Sequence, residues 1–179
     1  MGQGKKTNRA PAQRGGTYFC SGLYNARHSG ERVSHTFARI HIHLIFSTKQ
    51  RQKLIPKEMQ SKLWAYMASI CHNKGIELIT INGTDNHVHV LFHVPPIMAL
   101  AKAANLIKAN SSRWMSEHKR GFAWQDGYGA FSVSESNTGA VIRYIRDQEK
   151  HHRKRSFEQE YIAFLKRHRF KYDPQYVFA

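Results

Sequence analysis

Cysteine is nearly missing from this chain, with two in 179 residues, Cys20 and Cys71, and no metal-ligand spacing between them. That scarcity excludes a disulfide framework and a thiolate zinc site. Long apolar runs are missing too, so no segment approaches the roughly 20 residues that a membrane-spanning helix needs. The N-terminus lacks the apolar stretch of a signal peptide, and a reducing cytoplasm is the expected compartment. Acids are few: 12 Asp and Glu face 28 Lys and Arg, for a net charge of +16. Such an excess says nothing about fold, but it favours a polyanionic partner such as nucleic acid. A basic ribosome-associated or merely adhesive protein would carry the same charge. The excess is not confined to a tail, because residues 1–34 hold six basic residues and one acid, leaving 22 and 11 for the remainder.

Residues 1–34 are rich in Gly, Arg, Ser and Asn with little apolar periodicity, and read as a disordered basic extension. Translation starting near Val33 is a second reading of that segment. Residues 35–179 read as one domain, long enough to bury its own core. Phe37 to Thr48 alternates and is β-branched, which predicts a first strand. Pro56 opens a helix through Asn73, with Leu63, Trp64, Met67 and Ile70 as its apolar stripe and Gly75 closing it. Ile76 to Ile81 is a second strand, Asn82-Gly83-Thr84-Asp85 a turn, and the run from His87 its hairpin partner. Pro95-Pro96 ends that strand before a helix from Met98 to Glu117, and Tyr128 to Ser134 is a fourth strand. The order β-α-β-β-α-β is the ferredoxin-like motif, an α+β antiparallel sheet. Two further helices follow, Asn137 to His151 and Ser156 to Arg167, the second opened by the capping box Ser156-Phe-Glu-Gln159.

In the strand Asp85-Asn-His87-Val-His89-Val-Leu-Phe92, residues two apart share a face. Val88, Val90 and Phe92 would meet the helices, and His87 and His89 would look out of the opposite, open face. Two adjacent imidazoles aimed one way can grip a metal ion. Tyr144 and Gln148, four apart on a predicted helix, also share a face. A tyrosine hydroxyl with a pKa near 10 needs a polarised electrophile, and a phosphodiester coordinated to a divalent cation is one. Gln148 could add an amide oxygen as third ligand, and such a mixed N/O set with open positions suits Mg²⁺ or Mn²⁺. Each element alone is weak evidence. His41-Ile-His43 repeats the same spacing, and an aromatic at helical spacing beside Val141 and Ile145 is usually core. The pairs gain weight together, because the topology can bring a C-terminal helix across the open face.

Four separated blocks resemble one family. They are His43-Leu-Ile-Phe-Ser-Thr-Lys-Gln-Arg51, Asp85-Asn-His87-Val-His89-Val-Leu, Trp124-Gln-Asp-Gly-Tyr128-Gly-Ala-Phe-Ser132, and Tyr144-Ile-Arg-Asp-Gln148-Glu-Lys-His151-His152 with Ser156-Phe-Glu-Gln-Glu160-Tyr. Together they span residues 35–176 in the order of the single-tyrosine HUH transposases of small bacterial insertion sequences, with their REP-associated relatives. The resemblance implies that single-stranded DNA is nicked beside a short hairpin, through a 5′-phosphotyrosyl intermediate that leaves a free 3′-hydroxyl. Carried onto matching positions, it implies Tyr144 as nucleophile and His87, His89 and Gln148 as metal ligands. His43 matches a family histidine but is given no ligand role, and His41 is read as a local accident. His151 and His152, beside Arg153-Lys154-Arg155, are read as phosphate contacts. Lys49, Arg51, Lys53, Lys102, Lys108 and Arg113 are candidate DNA-backbone contacts. Trp124 and Tyr128 are candidates for stacking on unpaired bases, against burial as the plainer reading.

Two other classes are weighed against this one. A non-catalytic single-strand-binding module would carry stacking aromatics on its central strands, whereas the outward positions here are His87, His89, Leu91 and His93. A zinc hydrolase of the H-x-H-x-D type would need Asp where Leu91 stands. A mobile or a domesticated element, and a monomer or a homodimer, all stay open.

Overall fold

The structure, a computed structural model, describes Tyr18–Phe19, residues 37–173 and residues 175–178. Its strands are β1 (Tyr18–Phe19), β2 (His41–Ser47), β3 (Glu77–Gly83), β4 (His87–His93) and β5 (Gly129–Val133). Its α-helices are α1 (Lys57–Asn73), α2 (Leu100–His118), α3 (Glu135–Arg146), α4 (Gln148–His152) and α5 (Phe157–Arg167). The sheet is antiparallel in the order β1-β3-β4-β2-β5. Leaving out β1, this is the expected ferredoxin-like order, with β4 and β2 at the centre. β1 is a short edge strand against Ile81 and Thr80 of β3, inside a segment expected to be disordered. The rest of residues 1–34 lies outside the described residues.

Alternation along the central strands divides the molecule. Ile42, Leu44 and Phe46 of β2 join Val88, Val90 and Phe92 of β4 in one apolar core with α1 and α2. α1 supplies Leu63, Trp64, Met67 and Cys71, and α2 supplies Ala103, Ala104, Ile107 and Met115. Burying each large apolar side chain there contributes roughly 1.5–3 kcal/mol. α1 stops as the sequence predicts: Gly75 sits at φ +67°, the Ile76 amide donates to the Cys71 carbonyl, and the Gly75 amide to that of His72. That is a Schellman close, which a Cβ-bearing residue would strain.

Across the sheet, Ile45, Phe131, Phe157 and Leu165 form a second, smaller cluster under α5. The face expected to be open is therefore roofed by the C-terminal helices. α5 begins at the predicted capping box, in which the Gln159 amide donates to Ser156 Oγ at 3.3 Å and the Ser156 amide to Gln159 Oε1 at 3.2 Å. The helix expected from Asn137 to His151 is instead two, broken at Asp147 (φ −92°, ψ 18°). The cause lies in β3. Asn82 Nδ2 donates to the carbonyls of Ile145 and Arg146, each at 3.0 Å, competing for the acceptors that a continuing helix would use. Asn82, read from sequence as part of a turn, is thus a buried strand residue that pins the end of α3 to the sheet.

Candidate active site and metal centre

Three elements bring polar side chains into one buried space. β4 points His87 and His89 away from the apolar core, and both are fully buried. The hairpin before them is fixed by Gly83, where a Cβ would run into the His87 carbonyl, and by the Thr84 amide donating to that carbonyl at 3.0 Å. α4 begins with Gln148, fully buried, and its last turn carries His152. α5 contributes Glu160, 2 % exposed, from the same helix face as Phe157 and Leu165.

The Glu160 carboxylate is the hub. Its Oε2 lies 3.1 Å from His152 Nε2, 3.5 Å from His89 Nε2 and 4.0 Å from His87 Nε2. Its Oε1 accepts from the Tyr144 hydroxyl and, at 3.2 Å, from Gln148 Nε2. Gln148 Oε1 lies 3.3 Å from His87 Nε2 and 2.9 Å from His152 Nε2. The Tyr144 ring sits edge-on to His89 with centroids 5.9 Å apart, so the phenol reaches the histidines of its own chain. Behind the cluster, His43 Nε2 and His89 Nδ1 are 2.9 Å apart, which orients His89 and leaves its Nε2 facing Glu160. His87 Nδ1 is similarly engaged with Asn86 Oδ1 at 2.7 Å and Thr84 Oγ1 at 3.0 Å. Partners on the far nitrogen are what fix the tautomer of a metal-binding imidazole.

Burial sets the charges. Desolvation, then the neighbouring imidazoles, holds His43, His87 and His89 well below the ordinary histidine range. His152 is lowered mainly by desolvation as well. Burial pushes Glu160 up to about 8. Neutral imidazoles with free nitrogens are ligand-ready. Three buried side-chain atoms have no hydrogen-bond partner among the described residues, Thr80 Oγ1, His89 Nε2 and Glu160 Oε2, and the last two belong to this site. Leaving such atoms unpaired is costly, by about 1–3 kcal/mol each, unless something else answers them. His89 Nε2 and Glu160 Oε2 meet where ligand atoms of His87, His89, His152 and Glu160 lie within 4.8 Å of one another. Three imidazole nitrogens, a carboxylate and the Gln148 amide oxygen form a donor set that fits a divalent metal ion.

The family described as "Transposase IS200 like" matches residues 36–148, more than half of the chain. This chain belongs to the IS200-like transposase family. It is similar to the ISDra2 transposase TnpA of Deinococcus radiodurans, 26% identical over 118 residues that make up 62% of this chain and 84% of the relative. It is similar also to the transposase for insertion sequence element IS200 of Salmonella typhimurium, 23% identical over 124 residues, 65% of this chain and 81% of the relative. A solved Deinococcus radiodurans structure described as a transposase shares the fold, with a TM-score of 0.53 and 24% identity over 66% of this chain and 97% of the other.

In this IS200-like transposase, Tyr144 and Gln148 lie beside His87 and His89, but on two helices, α3 and α4, and not on the single helix expected. The family match ends at Gln148, so His152 and Glu160 lie beyond it. His152 was expected to contact phosphate and instead faces the ligand cluster, while His151 remains at its rim, 3.5 Å from the Tyr144 hydroxyl. Glu160 was missed. Its signal was an acid on the buried stripe Phe157–Leu165 of an amphipathic helix, where an acid without a function is rare. His152 had a signal too, one turn after Gln148 on the same face.

The basic candidates divide in the same way. Lys49, Lys102, Arg113, Arg153, Lys154 and Arg155 are exposed. Lys53 is exposed and paired with Asp85 at 3.2 Å. Lys108 is turned inward, its ammonium donating to the carbonyls of Gln125 and Gly127, so its charge secures a loop. Arg51 donates to Glu158 Oε1 at 2.9 Å and to the Phe178 carbonyl at 2.8 Å, tying the C-terminal segment down. Trp124 is core, donating to Ser111 Oγ at 3.0 Å and packed edge-on against Phe46 and Phe122, whereas Tyr128 is partly exposed beside Lys108. His41 lies apart from the cluster, 3.5 Å from Glu135. Among the described residues no helix is long and apolar enough to cross a membrane.

Proposed function

We propose that this transposase nicks and rejoins single-stranded DNA at hairpin-bearing ends, with Tyr144 as the nucleophile and a divalent metal, Mn²⁺ or Mg²⁺, held by His87, His89 and Gln148. His152 and Glu160 are within reach of the same ion, and three imidazoles favour Mn²⁺ over Mg²⁺. When bound, the metal would polarise the scissile phosphate and orient it. One observation carries the reading: the Tyr144 hydroxyl and the ligand cluster meet on a single carboxylate, Glu160. The Tyr144 hydroxyl therefore has a hydrogen-bond partner in place, which could take its proton once a bound cation keeps the carboxylate ionised. As the Tyr144 oxygen bonds to phosphorus, the phosphorus–O3′ bond breaks, giving a 5′-phosphotyrosine and a 3′-hydroxyl. Attack by another 3′-hydroxyl reverses the exchange and joins strands without an external energy source, because one ester replaces another.

A non-catalytic module using an open sheet face is less well supported, since α3, α4 and α5 cover that face. Exposed Lys49, Lys102, Arg113, Arg153, Lys154 and Arg155 remain candidates for backbone contacts. The test is denaturing electrophoresis of the protein with a labelled strand carrying a flanked hairpin and Mn²⁺. Wild type should give a covalent adduct, and Tyr144→Phe should give none while still binding the strand. Adduct formation by Tyr144→Phe would overturn the assignment.

A further inference from the structure

A cleft of about 420 Å³ opens beside Tyr144 between α3 and α5, and none of His87, His89, Gln148 or His152 lines it. It adjoins the ligand cluster, with Tyr144 and Glu160 as the walls the two share. Four of its walls are apolar, Ala140 and Val141 from α3 and Ala163 and Phe164 from α5. Phe164 is a fixed wall, stacked on Phe131 at 5.2 Å between centroids and edge-on to His43 at 5.3 Å. His43, Asn137 and His151 are its other polar walls, and Arg155 and Arg167 line it too. Neither has an acidic partner among the described residues, although Arg51, Lys53, Lys57 and Lys150 each have one. Glu160 also touches the cleft, but one of its oxygens is committed to Tyr144 and Gln148 and the other faces the imidazoles.

Apolar and aromatic walls match the face of a base, and free guanidiniums match a phosphate. A bare phosphate would leave the Val141–Phe164 wall against water, and a neutral apolar ligand would leave both arginines unanswered. The volume lies within the roughly 300–1,000 Å³ of small-ligand sites, suited to a single unit and not to a run of them. We infer that this cleft is a subsite for one nucleotide of single-stranded DNA, the one adjoining the scissile phosphate, with its base between Val141 and Phe164 and its phosphates against Arg155 and Arg167. Arg167, Phe164 and Val141 thereby become specificity and positioning residues. The inference rests on the strand-transfer reading for the identity of the strand, but on the cleft's own chemistry for the site.

The test uses the full chain and a fluorescent dT10 strand in which one residue is 5-iodo-2′-deoxyuridine. Irradiation should crosslink wild type within α3 or α5, at peptides containing Tyr144 or Phe164. Ala140→Trp, a substitution at an exposed helix position that fills the cleft, should weaken dT10 binding about tenfold or more and suppress that crosslink. Arg167→Ala should weaken binding several-fold and reduce the salt slope by about one counterion. Because Arg167 is exposed, that second variant keeps the test decisive even if Ala140→Trp fails to fold. Crosslinks confined to other elements, or dT10 affinity unchanged in both variants, would overturn the inference. A cleft crosslink without any Tyr144 adduct on hairpin-flanked strands would overturn the strand-transfer reading alone. Equal adduct yields from wild type and Ala140→Trp would overturn the subsite alone.

Discussion

The two faces of one sheet are built from the same two strands and do opposite work. On one, Leu44, Phe46, Val88, Val90 and Phe92 are sealed against α1 and α2 with no polar group among them. On the other, His43, His87 and His89 are just as deeply buried, yet meet Gln148, His152 and Glu160. The first face gains by removing apolar area from water. The second gives up stability by desolvating imidazoles and a carboxylate, and two of its atoms have no hydrogen-bond partner. A period of two is enough to separate them. Stability is concentrated on one side, which leaves the other free to hold polar groups that are costly to bury, the groups that the proposed metal and phosphate would meet.

The largest expected effect breaks the stable face. Phe92→Ala should cost about 3–5 kcal/mol in chemical denaturation, because a fully buried aromatic leaves a cavity. The folded fraction should still bind Mn²⁺ with wild-type affinity. His89→Ala should do the reverse: calorimetric Mn²⁺ binding is lost, along with the rise in Tm that Mn²⁺ gives wild type, while the fold persists. Equal effects of the two substitutions on metal binding would erase the distinction between the faces.

The next effect is in pH. The histidines of the site are depressed in the folded state, so below about 6.5 the unfolded chain binds more protons and metal-free stability falls as pH drops. Glu160 has the opposite sign. Its folded value of about 8 lies above its ordinary 4.5, so between those values the folded state holds the extra proton and stability falls as pH rises. In metal-free denaturation, wild type should lose stability relative to Glu160→Gln across that window. A difference independent of pH would show that Glu160 is not buried as described.

The smallest effect tests the joint between the sheet and α3, the helix that carries Tyr144. Asn82→Ala removes both bonds to the end of α3 and should cost about 1–2 kcal/mol. It should lower the rate of adduct formation more than it lowers DNA binding, since Tyr144 sits in the last turn that Asn82 anchors. Loss of binding with an unchanged rate would assign Asn82 a different role.

Much of this was legible in the residues. The alternation of His87 and His89 with Val88, Val90 and Phe92 assigns the two faces, and Tyr144 with Gln148 marks the segment, α3 and α4, that crosses one of them. What the sequence left hidden depends on how that crossing is made. Glu160 becomes the hub only because α5 lies over β4, and a capping box fixes where a helix starts but not its direction across a sheet. His152 turns inward because Asp147 breaks the helix, and that break is made by Asn82, some 60 residues earlier. Lys108 looked like a DNA contact because charge is visible in sequence and the two carbonyls that take it up are not.

The central claim is that Tyr144, served by the buried polar face, is the group that bonds to DNA. Mass spectrometry of a proteolytic digest after reaction with a hairpin-flanked single strand and Mn²⁺ tests it most directly. The account predicts a nucleotide joined through phosphate to the peptide containing Tyr144, absent when His87 and His89 are both replaced by Ala. A nucleotide attached to any other residue, or strand cleavage with Tyr144 left unmodified throughout, would contradict it.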